Sequence, residues 1–220
     1  MKEKDKLNQD KGRRKFIQTT AAASAGLALV PSLSLNSQNK NHTMKETINA
    51  RGYAGTDAKS PLKSWNFERR PLGDNDVLIE IKYSGICHSD IHQIQGHWGP
   101  QKYPQVPGHE IAGIITAVGK NVSKFKVGDK AGVGCMVDGC TTCENEEQYH
   151  PDALYTYGNV DEREPTGITQ GGYSNNIVVR DHYAIKIPET LELKYAAPLL
   201  CAGITTYSPL MKYDAMKKDE

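Results

Sequence analysis

Gly85-Ile86-Cys87-His88-Ser89-Asp90-Ile91-His92 gathers one thiol, two imidazoles, a hydroxyl and a carboxylate within eight residues. Ser89 and Asp90 suit the first turn of a helix, where side-chain oxygens meet unpaired backbone N–H groups. A short helix is therefore expected from Cys87 to Gln95. Two other segments match this one in kind: Pro107-Gly108-His109-Glu110 and Cys201-Ala202-Gly203-Ile204-Thr205-Thr206-Tyr207. Each sets a thiol or an imidazole beside small residues. Zn²⁺ prefers cysteine sulfur and histidine nitrogen, and catalytic sites use three protein ligands with one position left open. Cys87, His109 and Cys201 supply such a set. Singly, each residue has an ordinary reading: a buried cysteine packs as a small hydrophobe, a histidine makes one hydrogen bond, and Ser89 and Asp90 cap a helix. Their joint occurrence, in this order, carries the metal reading.

The surroundings read as β-rich. Val77, Ile79 and Ile81 alternate as in a half-buried strand, and Ile111–Val118 is an apolar run closed by Gly119. Lys130–Cys135, Ile177–Val179 and Ala184–Ile187 are further short strands. Glycines at 108, 113, 119, 128, 132 and 134 mark bulges and corners. A second helix is expected from Tyr195 to about Lys212, interrupted by Pro198. Gly and Pro together make up 31 of 220 residues, which fits a turn-rich globular domain. A net charge of +1 argues against a nucleic-acid binder, and five cysteines are too few and too odd in number for a disulfide framework.

That net charge hides an asymmetry. Residues 1–43 carry 8 Lys/Arg and 3 Asp/Glu, against 19 and 23 in residues 44–220. The basic part leads through Arg13-Arg14-Lys15-Phe16-Ile17 into an apolar run from Thr19 to Val30, too short to span a membrane. This order resembles a twin-arginine export signal. Residues 1–34 are read as that signal and 35–43 as a polar linker, giving an exported or periplasmic protein. A start at Met44 would instead leave it cytoplasmic.

The motif Gly-x-Cys-His-x-Asp-x-His, then Pro-Gly-His-Glu, then Pro-Leu-Leu-Cys-Ala-Gly-Ile-Thr-Thr-Tyr resembles the zinc-dependent medium-chain alcohol dehydrogenases, in particular the cinnamyl-alcohol-dehydrogenase-like aldehyde reductases. The resemblance runs from Met44 to about Leu210. It implies a mainly β fold with short helices, a GroES-like, partly open β-barrel over residues 44–210. It implies exchange of a hydride between a small primary alcohol or aldehyde and NAD(P). Cys87, His109 and Cys201 match the catalytic zinc ligands. Glu110 matches an acid that can approach the metal, and Asp90 the carboxylate that sets the imidazole tautomer. Ser89 matches the hydroxyl that receives the alcohol proton and His92 the residue that relays it. His88 matches a position facing the cofactor phosphates, and Trp98 and Tyr157 match pocket-lining aromatics.

Relatives also bind a structural zinc through Cys-x₂-Cys-x₂-Cys-x₇-Cys. Here the first two cysteines stand as Cys140 and Cys143, the third is absent, and His150 falls at the fourth, so the resemblance implies a degenerate site of Cys140, Cys143 and His150. The family's Gly-x-Gly-x-x-Gly nucleotide-binding segment is expected after Tyr207, yet no glycine follows Gly203 and residues 211–220 read as a truncated tail. Three readings remain open: a truncated and inactive dehydrogenase fragment, half of a split enzyme with a separate Rossmann-domain chain, or a non-catalytic zinc-binding module. Relatives dimerise largely through the nucleotide-binding domain, so a homodimer is left open.

Overall fold

The computed structural model describes residues 46–143 and 147–213. The signal, the linker and the tail beyond Tyr213 lie outside the described residues. The centre is a five-stranded antiparallel sheet. Strand β3 (Asp76–Ser84) lies between β8 (Asn176–Arg180) and β4 (Ile111–Val118); β5 (Lys130–Val133) and β9 (Ile185–Lys186) follow β4. The hairpin β1 (Ile48–Ala54) with β2 (Lys63–Arg69), and the pair β6 (Met136–Asp138) with β7 (Leu154–Tyr155), form two smaller sheets. All three sheets are open in their strand order, which agrees with a partly open barrel that does not close.

Alternation explains the core. Val77 and Ile79 are fully buried and pack with Ile111, Ile115, Val133, Ile177 and Val179. Val178 points the other way, into a smaller cluster with Ile48 and Leu72. Strand β8 is thus apolar on both faces because it is covered on both. The register of β3 on β4 slips twice, at Leu78/Ile79 and at Ile81/Tyr83, and such bulges bend a strand and increase its twist.

Three helical segments serve the site. Helix α1 (His88–Ile94) starts where expected, with Cys87 as its N-cap. The C-terminal helical stretch starts two residues earlier than expected and is not broken at Pro198. Helix α2 (Leu193–Pro198) runs directly into a five-residue π turn, Leu199–Gly203, and on into α3 (Ile204–Lys212). Proline has no N–H for the helical ladder, and the stretch accommodates it at the end of α2. The irregularity falls instead on the widened turn that contains Cys201. Among the described residues no helix is long and apolar enough to cross a membrane.

Gly113 sits where β3 and β4 touch; a Cβ there would lie 2.2 Å from the Glu80 carbonyl oxygen. Gly113→Ala is expected to cost roughly 2 kcal/mol or more in unfolding free energy, read by urea titration. An unchanged midpoint would contradict the close approach.

Candidate metal centre

Cys87 closes the loop after β3, His109 and Glu110 lead into β4, and Cys201 lies in the π turn. Their ligand atoms all fall within 4.8 Å of one another. The sulfurs of Cys87 and Cys201 stand 3.9 Å apart. Two thiolates on a tetrahedral zinc, with Zn–S near 2.3 Å, would be separated by about 3.8 Å. The donor chemistry and this spacing therefore fit zinc.

Asp90 holds the arrangement in place. One carboxylate oxygen accepts from the Gly108 N–H at 3.1 Å and from His109 Nδ1 at 2.9 Å. The other accepts from the Cys87 N–H at 3.0 Å and the Tyr173 hydroxyl at 2.7 Å. A carboxylate only accepts, so the His109 proton lies on Nδ1 and Nε2 is the nitrogen with a lone pair to offer. Gly108 makes the turn at φ +104°, and a Cβ there would lie 2.6 Å from the Tyr173 ring. The loop can approach Asp90 because that residue is glycine.

The charges are arranged for a cation. Burial works against charge on Asp90, but the bonds from His109, Cys87 and Tyr173 outweigh it and hold the carboxyl below its ordinary value. Burial likewise opposes a proton on His109, but Asp90 outweighs it and raises the imidazole. Cys87 also resists ionisation through burial, yet Ser89, Cys201 and His109 bring it below an ordinary thiol. Burial, with Cys135 and Cys87 beside it, pushes Cys201 up to about 12. The pair thus divides into a thiol that ionises more readily than an ordinary one and a thiol that ionises less readily. Burial raises Glu110, which is tucked against Gly85 so closely that a Cβ there would lie 2.0 Å from its carboxylate.

A cavity of about 480 Å³ opens beside this cluster, lined by Ser89, Trp98, His109, Tyr157 and Cys201 among others. Trp98 and Tyr157 are thus brought to the same cavity wall as the ligands, and the Tyr157 hydroxyl stands 3.2 Å from His109 Nδ1. Ser89 Oγ lies 3.5 Å from Cys87 Sγ. His92 turns to His97, with their Nδ1 atoms 2.7 Å apart, and its ring also meets His88 at 4.7 Å and Trp98 at 5.4 Å between centroids. Cys140, Cys143 and His150 are also brought within 4.8 Å of one another, but the two sulfurs are bonded to each other.

Sequence reasoning missed two residues here. Cys135, read as the last residue of the Lys130–Cys135 strand, follows the end of β5, is exposed and lines the cavity. Tyr173 was not singled out. Its only sequence signal is the preceding Gly171-Gly172 pair, which lets that segment pack against Pro107 and Ile111.

The profile of the alcohol dehydrogenase GroES-like domain matches residues 73–189, more than half of the chain. The chain belongs to the alcohol dehydrogenase GroES-like family. This GroES-like domain is 50% identical over 171 residues to a probable cinnamyl alcohol dehydrogenase of Oryza sativa subsp. japonica, covering 76% of this chain and 48% of that protein. It is 50% identical over 169 residues to the NADP-dependent alcohol dehydrogenase C of Mycobacterium bovis, covering 74% and 48%. Among solved structures, the CAD from Helicobacter pylori complexed with NADP(H) superposes with a TM-score of 0.73 at 46% identity, covering 76% of this chain and 49% of that one. The GroES-like chain thus spans about half the length of the relatives it matches.

Asp90→Asn puts an NH₂ group where four donors converge, and a loss of roughly 3 kcal/mol is expected. The sign of the pH dependence follows from the lowered carboxyl. Its contribution is complete above the unfolded value near 3.9 and is lost as pH falls toward the folded value. Denaturant melts of metal-free protein at falling pH should show this loss in the wild type and a shallower slope in Asp90→Asn. Equal slopes would contradict it.

Proposed function

We propose that this chain is the catalytic domain of a zinc-dependent alcohol dehydrogenase or aldehyde reductase, interconverting small primary alcohols and aldehydes with NAD(P) when joined to a nucleotide-binding domain. The observation that carries it is the meeting of Cys87, His109, Glu110 and Cys201 at the wall of a cavity faced by Trp98 and Tyr157. Cys87, His109 and Cys201 would hold the zinc, which would supply a Lewis acid to polarise a substrate oxygen.

The chain's own residues divide the remaining work. The Ser89 hydroxyl, at the cavity wall, exchanges the alcohol proton. His92, about one turn further along α1 than Ser89, passes it outward, since an imidazole exchanges protons readily near neutral pH. Asp90 holds His109 with Nε2 toward the thiols. Glu110 is a further carboxylate within reach of the same point. The aromatic rings keep one side of the cavity apolar and so favour the substrate's carbon end. His88, exposed at the start of α1, is assigned to the cofactor phosphates.

The nucleotide-binding partner, in the same polypeptide or as a separate chain, is supported by the surface of α3. That helix has no buried residue and exposes Ile204, Tyr207, Leu210 and Met211. Export through a twin-arginine route is part of the same proposal and is supported by Arg13-Arg14 ahead of the apolar run 19–30.

Metal analysis tests the centre. Purified protein should hold about one zinc per chain, and His109→Ala or Cys87→Ser should abolish most of it. Metal-free wild-type protein would overturn the assignment. With a nucleotide-binding domain supplied in cis or in trans, Ser89→Ala should lower kcat for an aromatic aldehyde about 10²-fold, with KM little changed. Unchanged kcat would remove Ser89 from the proton path.

A further inference from the structure

The β6–β7 hairpin carries Cys140 and Cys143 ahead of the short 3₁₀ turn Glu147–Tyr149 and His150 after it. A structural zinc site closes with four ligands, and the relevant question is whether these groups are free to bind. His150 Nδ1 accepts the backbone N–H of Asp152 at 3.1 Å. A neutral imidazole that accepts at Nδ1 carries its proton on Nε2. Nδ1 is thus taken up by that amide, as each cysteine sulfur is by the other. The two cysteines have Cα atoms 5.9 Å apart, inside the range of about 4.4–6.8 Å that a disulfide spans without moving the backbone.

The turn also has its own anchor. The Tyr183 hydroxyl donates to the Cys140 carbonyl at 2.6 Å. Gly139, at φ +158°, lies under that hydroxyl, and a Cβ there would come within 2.7 Å of it. A hydrogen bond from the core thus holds the hairpin tip that an ion would otherwise hold. Thr141 and Thr142 are exposed and both cysteines are half-buried, so the turn that carries them lies at the surface. A ring closed between residues three apart constrains the unfolded chain far less than a long loop does, so the bond is suited to exchange more than to stabilisation.

We infer that Cys140 and Cys143 form an exchangeable disulfide that closes this lobe in place of a second metal ion. In the forward direction one cysteine thiolate attacks a low-molecular-weight disulfide such as oxidised glutathione, forming a mixed disulfide and releasing one thiol. The second cysteine thiolate then displaces the remaining thiol. Two cysteine protons are lost, two electrons pass to the oxidant, and a dithiol reductant reverses both steps. The inference is independent of the zinc centre proposed at Cys87, His109 and Cys201.

The test uses the whole chain, loaded with zinc and equilibrated with either oxidised glutathione or a dithiol, then alkylated, digested and weighed. The oxidised sample should yield a peptide containing Cys140 and Cys143 that is unalkylated and two hydrogens lighter; in the reduced sample both should be alkylated. Zinc content should be equal in both samples and in a Cys140→Ser/Cys143→Ser variant. Full alkylation of both cysteines after oxidation would overturn the inference. So would a zinc equivalent lost in that variant or gained on reduction. Should the variant fail to fold, the wild-type masses and zinc contents decide alone. Loss of zinc confined to Cys87→Ser reports on the other centre and leaves the equal zinc content of the two samples as the deciding result.

Discussion

The carboxylate of Asp90 is the constraint on which the site depends. A buried charge is costly unless its lone pairs are filled, and here four donors from three separate parts of the chain fill them. The Cys87 N–H comes from the N-cap of α1, the Gly108 N–H and the His109 ring from the loop before β4, and the Tyr173 hydroxyl from the segment before β8. Because each donor must reach the same two oxygens, their elements are locked to one another. The lock also places Cys87 and His109, two of the proposed ligands, on either side of one group.

The third thiol arrives by a different device. Cys201 sits in a π turn between two α-helical stretches, and widened turns of this kind are often found where a helix must present a side chain to a site. Its sulfur stands 3.9 Å from that of Cys87; burial, with Cys135 and Cys87 beside it, holds Cys201 near 12, while Ser89, Cys201 and His109 bring Cys87 below an ordinary thiol. Like charges at that distance cannot both persist without a counter-ion. A cation between the two sulfurs would relieve that repulsion. The same reasoning separates this centre from the lobe at Cys140 and Cys143, where the sulfurs satisfy each other covalently and the neighbouring imidazole is turned to a backbone amide.

Much of this was legible in the residues. The five main strands show as apolar alternation or apolar runs, and the ligand set shows as three short motifs. What was not legible has particular causes. Strand β1 alternates perfectly between buried and exposed residues, but three of its four inward positions are Ala50, Gly52 and Ala54, too small to register as an apolar pattern. Pro198 reads as a helix break, whereas the helix absorbs it and widens one turn later. Cys135 follows an apolar strand and so reads as core, although the chain turns it toward the cavity. Tyr173 lies 83 residues from Asp90, and no local pattern announces a partner at that distance. Asp90 itself looks like a helix cap, and its Oδ2 does accept from the N-cap backbone; its larger role appears only when the loop before β4 folds onto it.

The central claim is that Asp90 fixes the proton of His109 on Nδ1 and leaves Nε2 facing the two thiols. The most direct measurement is ¹⁵N NMR of the His109 ring in zinc-loaded protein. The account predicts a protonated Nδ1 and an Nε2 whose resonance moves when zinc is replaced by cadmium. A ring with its proton on Nε2, or one whose nitrogens are indifferent to the metal, would contradict it.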